Sequence, residues 1–215
     1  MRSLDARLYR DVNRFAVHTG WLHQIMHAYA VYLGFGLLAA CVAGAWWRGR
    51  HAANPPQATA SALWAVAAAL IAVAVNQPIS HAVARARPYV TMRGSEVLIP
   101  RAHDFSFASD HATVAGAIIV ALLFSDRLMG GLALAAGVLL AFARVYVGAH
   151  YPGDVIAGLL LGGFVAAVLR PLGMVILGWV TVRIERSPLH ALVSAPVPDP
   201  DGVATPKPRD PAPSS

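Results

Sequence analysis

Three short clusters in this sequence carry side chains whose types and spacing suit phosphoryl transfer. The first is Arg85-Ala86-Arg87-Pro88, the second is residues 105–113 (FSFASDHAT), and the third is residues 143–154 (ARVYVGAHYPGD). Arg87, Arg144 and Arg85 are permanent cations whose planar forks match phosphate oxygens two at a time. Ser109 offers a hydroxyl, and Ser109 or Asp110 can cap a following helix so that free backbone N–H groups face an anion. Arg85, Arg87, Ser109, Asp110 and Arg144 are therefore the candidate phosphate-binding positions. His150 precedes Asp154 by four residues, with Pro152 and Gly153 forcing a turn between them. A carboxylate at that spacing is expected to accept the proton on one imidazole nitrogen and aim the other outward as a nucleophile. His111 is placed to protonate a leaving oxygen and then to activate water. The candidate catalytic residues are thus His150, His111 and Asp154.

Each feature also has a duller reading. An arginine near the end of an apolar run is usually a membrane anchor. A His–Asp pair four apart is often a surface contact, and Ser-Asp before an apolar run is often only a cap. A metal site built from His103, Asp104, His111, His150 and Asp154 lacks His-x-x-x-His or Cys-x-x-Cys spacing, so no metal or other cofactor is expected. His23 and His27 have no carboxylate nearby and read as interfacial. The conjunction of three clusters favours chemistry over anchoring.

The rest of the chain must position those clusters, and its composition says in which solvent. Of 215 residues, 57% are hydrophobic and only 13% charged, where a soluble domain carries about a quarter charged residues. Lipid is the expected surrounding. The net charge of +6 comes from sixteen arginines and Lys207. They sit at the ends of apolar runs and in one loop, not in a stripe, so membrane flanks and phosphate explain them better than nucleic acid. The lone Cys41 lies in an apolar run and excludes an intramolecular disulfide. Residues 4–18 place Leu4, Leu8, Val12 and Phe15 at helical spacing between arginines, which predicts an amphipathic helix at the interface over residues 1–20. No apolar leader precedes it, so the first span is expected to insert the chain.

Five apolar stretches follow, near residues 26–47, 62–79, 109–125, 131–147 and 155–181. A span needs about 20 residues. The last is long enough to cross and then kink at Pro171. The expected fold is all-α, an integral membrane bundle of about five transmembrane helices in one domain over 1–186. The Pro-rich residues 187–215 are expected to be a disordered tail. Gly130, Gly131, Gly137, Gly158, Gly162 and Gly163 are read as helix-packing positions. With five crossings, loops 80–110 and 148–154 share one membrane face. Arg48, Arg50, Arg127, Arg183 and Arg186 favour the cytoplasm for the other face, so the site is expected to open outward.

At these residues the chain resembles the type 2 phosphatidic acid phosphatase family, within the superfamily that includes vanadium haloperoxidases. The resemblance covers roughly residues 70–165. The family carries Lys-x6-Arg-Pro, Pro-Ser-Gly-His and Ser-Arg-x5-His-x3-Asp. Here the third motif appears as Ala143-Arg144, His150 and Asp154, the second as Ala108-Ser109-Asp110-His111, and the first as Arg87-Pro88. The resemblance implies His150 as nucleophile, Asp154 as its partner, His111 as acid/base, and phosphate held by Arg87, Arg144 and Ser109. The first-motif lysine is replaced by Ser80, leaving His81 or Arg85 as its candidate substitutes. Ala108 and Ala143 replace the family's proline and serine. Asp110 in place of glycine resembles the branch that hydrolyses undecaprenyl diphosphate, the cell-wall carrier, and confers bacitracin resistance. The implied partners are a lipid phosphate or diphosphate and the cell membrane. Phosphatidic acid or phosphatidylglycerophosphate hydrolysis, lipid phosphotransfer, and a non-catalytic membrane protein are the rival readings.

Overall fold

Helix boundaries in the computed structural model, which describes residues 2–195, fall where the sequence places caps and prolines. Helix α1 covers Arg2–His18. Helix α2 runs through Gly20–Gly49 and carries one widened turn at Tyr29–Leu33. Helix α3, Pro55–Val83, starts on two prolines after Asn54, whose side chain accepts the Gln57 N–H. It stops at Ala84, which takes a left-handed conformation. One turn of helix, α4 (Pro88–Thr91), follows. Helix α5 is Asp110–Leu123. Helix α6, Arg127–Tyr146, begins on Asp126, whose carboxylate accepts the N–H groups of Leu128 and Met129. Helices α7 (Pro152–Val168) and α8 (Arg170–Glu185) complete the set. Every regular element among the described residues is helical, as an all-α membrane bundle requires.

Among the described residues, three stretches are long and apolar enough to cross a bilayer: Gly20–Gly49, Pro55–Thr91 and Arg127–Tyr146. Helix α5 is apolar but has only 14 residues. The stretch expected as one span over 155–181 is two helices bent by 59°. The break falls at Leu169, not at Pro171. Pro171 sits in the first turn of α8, where its missing N–H costs no helical hydrogen bond. Helix α8 then packs against the start of α3, with Gly173 facing the Trp64 ring and Met174 reached by the Ser61 hydroxyl.

Small residues set the spacing at the centre of the bundle. Helices α5 and α7 run parallel, pairing Gly158 with Ser109 and Ala112, Gly162 with Thr113 and Ala117, and Gly163 with Val120. Helix α6 runs the other way, bringing Gly137 to Ile119 and Gly130 to Leu123. A methyl group on Gly162 would collide with the Thr113 carbonyl oxygen, and one on Gly116 with that of Leu159. Backbone meets backbone here, so neither side can yield as a side chain would. Gly131 is the exception, with nothing near it. Gly162→Val should cost about 3 kcal/mol through overpacking. Thermal unfolding in detergent checks this; an unchanged midpoint would refute the close packing of α5 on α7.

These directions return loops 84–109 and 147–151 to one end. There the Leu98 N–H donates to the Val147 carbonyl and the Ser106 N–H to that of Arg85. Helix α1 caps this end, with Tyr9, Asn13 and Ala16 buried against the body. Its Leu4, Leu8 and Phe15 point outward, exposed, where an interfacial helix would meet lipid. At the opposite end Arg48 pairs with Asp126. Of the residues 187–215 expected to be a disordered tail, the structure describes 187–195. Residues 187–195 fold onto this end, because Trp46 Nε1 donates to the Leu192 carbonyl, the Thr59 hydroxyl to that of Val193, and the Ala195 N–H to that of Arg50. Residues 196–215 lie outside the described residues.

Candidate active site

The turn after α6 delivers the central imidazole. Gly148 has φ +80°, and a methyl there would meet the Glu96 carbonyl oxygen at 2.7 Å. Only glycine allows both the left-handed conformation and that approach. Two residues on, His150 is 3% exposed. Its Nδ1 lies 2.8 Å from the Ser106 carbonyl oxygen. A carbonyl can only accept, so Nδ1 carries the proton and Nε2 holds a lone pair. Burial, followed by the charges of Arg144 and Arg87, pushes the His150 pKa well below the ordinary imidazole value. The ring is therefore neutral at pH 7, with Nε2 available to attack.

The expected direct His150–Asp154 hydrogen bond does not form. Asp154 Oδ2 is 4.0 Å from Nδ1, because Ser106 stands between them. Oδ2 accepts the Ser106 hydroxyl and the Tyr151 N–H, and Oδ1 accepts Arg85 Nη1 at 2.6 Å. Asp154, with no exposed surface, thus reaches the imidazole through Ser106, and Ser106 was invisible to spacing arguments because it lies 44 residues away.

Arg87, Arg144, His111 and His150 line one cavity of about 830 Å³, together with Asp104, Asp110 and His81. This is the convergence that two separate bends of the chain were expected to produce. Arg87 Nη1 donates to the Ala149 carbonyl at 3.0 Å and lies 3.3 Å from His150 Nε2. Its Nε and Nη2 grip Asp104 at 2.8 and 2.9 Å, a bidentate geometry that phosphate oxygens could take over. Burial favours the neutral form of Asp104, but the hydrogen bonds and charge of Arg87 outweigh it and hold this carboxyl below its usual range. Arg144 is 7% exposed, its Nη1 makes only a 3.5 Å contact with the Ala30 carbonyl, and its Nε has no partner among the described residues. The Ser109 hydroxyl is also buried and unpartnered, and although Ser109 occupies the cap position of α5, its side chain makes no cap bond. Unpaired buried donors of this kind suit an anion or a water. His111 stacks at 4.7 Å on Phe35 in the first turn of α5.

Two candidate phosphate-binding residues have their side chains engaged with other partners. Arg85 turns away from the cavity, bridging Asp5 and Asp154 at 2.6 Å each and covering the Tyr151 ring at 3.9 Å. Both Nη atoms of its fork thus hold carboxylates outside the cavity that contains His150. The Asp110 carboxylate accepts from Asn76 Nδ2 at 2.7 Å and from Gln77 Nε2. These bonds tie the start of α5 to α3. Asn76, also bonded to the Ala108 carbonyl, was missed by motif reasoning. A signal existed: it is an amide inside an otherwise apolar span, and intramembrane polar groups are costly unless used.

Comparison with known proteins places this geometry. The chain is 38% identical over 107 residues to undecaprenyl-diphosphatase BcrC of Bacillus subtilis, covering 50% of this chain and 52% of that protein. It is 36% identical over 98 residues to the undecaprenyl-diphosphatase of Sulfolobus acidocaldarius, covering 45% and 48%. The matched region spans about half the length of these curated relatives. The crystal structure of the first transmembrane PAP2 type phosphatidylglycerolphosphate phosphatase from Bacillus subtilis shares the fold, with a TM-score of 0.58 at 21% identity over 81% of this chain and 87% of that one. The PAP2 superfamily model matches residues 61–177, which hold all three clusters, and the chain belongs to the PAP2 superfamily.

Proposed function

We propose that this protein is a metal-independent lipid phosphatase that hydrolyses an isoprenyl diphosphate of the undecaprenyl type to the monophosphate. The observation that carries the reading is the neutral, carbonyl-fixed His150, whose Nε2 shares a cavity with two arginines. The likeness to two undecaprenyl-diphosphatases supports the substrate class.

In the proposed reaction the terminal phosphoryl group displaces Asp104 from Arg87 and engages the free donors of Arg144 and Ser109. His150 Nε2 attacks phosphorus, and the bridging P–O bond breaks as the N–P bond forms. His111 protonates the departing lipid monophosphate oxygen. Water then attacks the phosphohistidine, giving its proton to His111, and inorganic phosphate leaves with His150 restored. The arginines neutralise charge on the equatorial oxygens throughout. With Arg85 engaged elsewhere, His81 is the remaining basic substitute for the lysine absent at Ser80.

Five crossings, with the active site opening outward from the cell membrane, complete the proposal. A cysteine introduced at Val90, which is exposed at that end, should react with an impermeant reagent from outside; labelling only from inside would reverse the orientation. The function itself is tested by phosphate release from a lipid diphosphate, phosphatidic acid and phosphatidylglycerophosphate in excess chelator. The diphosphate should be preferred. Preference for phosphatidylglycerophosphate would favour instead the activity named for the Bacillus subtilis structural neighbour, and transfer to a second lipid without free phosphate would make the protein a phosphotransferase. Turnover that needs added metal would overturn the mechanism.

A further inference from the structure

The groups that hold His150 extend well beyond its own motif, to the N-terminal helix. Asp5 of α1 accepts Arg85 Nη2 at 2.6 Å through Oδ2 and the Gly153 N–H at 2.8 Å through Oδ1. Arg85 passes to Asp154, Asp154 to the Ser106 hydroxyl, and the Ser106 carbonyl to His150 Nδ1. Arg85 acts a second time through its backbone, whose carbonyl accepts the Ser106 N–H at 2.8 Å. Ser106 is therefore gripped at its N–H by Arg85 and at its hydroxyl by the carboxylate that Arg85 holds. Aromatic contact supports the same seat, with Tyr9 of α1 against Tyr151 at 5.5 Å. None of these residues lines the cavity that holds His150.

We propose that Asp5 is a positioning residue for His150, acting through Arg85, Asp154 and Ser106. This rests on the reading of His150 as nucleophile. Without Asp5, one side of the Arg85 guanidinium loses its carboxylate, and the Gly153 N–H at the start of α7 loses its acceptor. Arg85 is then free to lean toward Asp154 alone, carrying Ser106 with it. Small displacements of a nucleophile from in-line attack cost rate steeply. Phosphate-gripping groups stay where they were, so substrate binding is spared.

Asp5→Asn keeps the volume and an acceptor for Gly153 but removes the charge facing Arg85. With full-length protein and a lipid diphosphate, kcat per active site should fall about 10- to 30-fold, with KM within about twofold. Arg85→Lys should do the same, and the double variant should be no worse than the poorer single one, because both break one relay. A merely structural role would lower the yield of folded protein and leave kcat per active site intact. Gly153→Ala provides a second perturbation, since its methyl would sit 2.9 Å from Asp5 Oδ2 and push the carboxylate aside; it should lower kcat in the same way if Asp5→Asn cannot be purified. Wild-type kcat in these variants, or a change confined to KM, would overturn the assignment of Asp5. Failure of the wild-type chain to turn over the diphosphate would instead remove the reading on which it rests.

Discussion

His150→Ala should abolish phosphate release, with a loss of about 10⁴-fold or more, while lipid diphosphate still binds. The nucleophile takes part in both halves of the proposed reaction, so its removal leaves only positioning and charge stabilisation, and residual rates of that kind are small. The fold should survive. His150 makes one hydrogen bond to the Ser106 carbonyl and one contact with Arg87, both at the loop end of the bundle. Retained binding with lost turnover, read by steady-state kinetics and by ligand-induced thermal shift, is the expected pair of results. Because the ring is held neutral well below the ordinary imidazole pKa, protonation of His150 should not set an acid limb near pH 6. The activity of the wild type should persist through that range until another group titrates.

Arg144→Ala should cost about 10²- to 10³-fold in kcat, the usual loss when one preorganised donor to a developing charge is removed. Its signature is the combination with stability. Most buried cations are matched by a carboxylate, and removing one strands its partner. Arg144 has no carboxylate partner among the described residues: its contacts are a weak one to the Ala30 carbonyl and an Nε that bonds to nothing there. The folded protein bears the desolvation of this guanidinium without full compensation. Thermal stability of the empty protein should therefore hold or rise as activity collapses. Arg87 is the contrast. It ties Asp104 to the Ala149 carbonyl beside His150, so its loss would loosen the loop as well as the substrate. A fall in stability for Arg144→Ala would show that the side chain serves the fold rather than an anion.

Much of this was legible from local pattern. Apolar runs located α2, α3, α6 and the α7–α8 region, and the motifs located Arg87, His111, Arg144 and His150, which now share a cavity. What stayed hidden depends on contacts distant in sequence. Nothing in the spacing of His150 and Asp154 announces that Ser106 intervenes, or that Arg85 bridges Asp5 and Asp154. Asp104 looked like a possible metal ligand and proves to occupy the fork of Arg87. The kink was sought at Pro171, yet the chain breaks at Leu169, since proline starts a helix more readily than it bends one. In the same way Asp110 matched a motif position, and only the amides of Asn76 and Gln77 show that its carboxylate is turned to α3.

The central claim is that phosphorus becomes bonded to His150 during turnover. Rapid quenching with a lipid diphosphate labelled at its terminal phosphate, followed by peptide mapping under alkaline conditions, tests it directly. The account predicts an acid-labile phosphoryl group on the peptide containing residue 150, formed faster than free phosphate appears and absent from His150→Ala. Steady turnover with no labelled protein at any time, or label on a different residue, would contradict it.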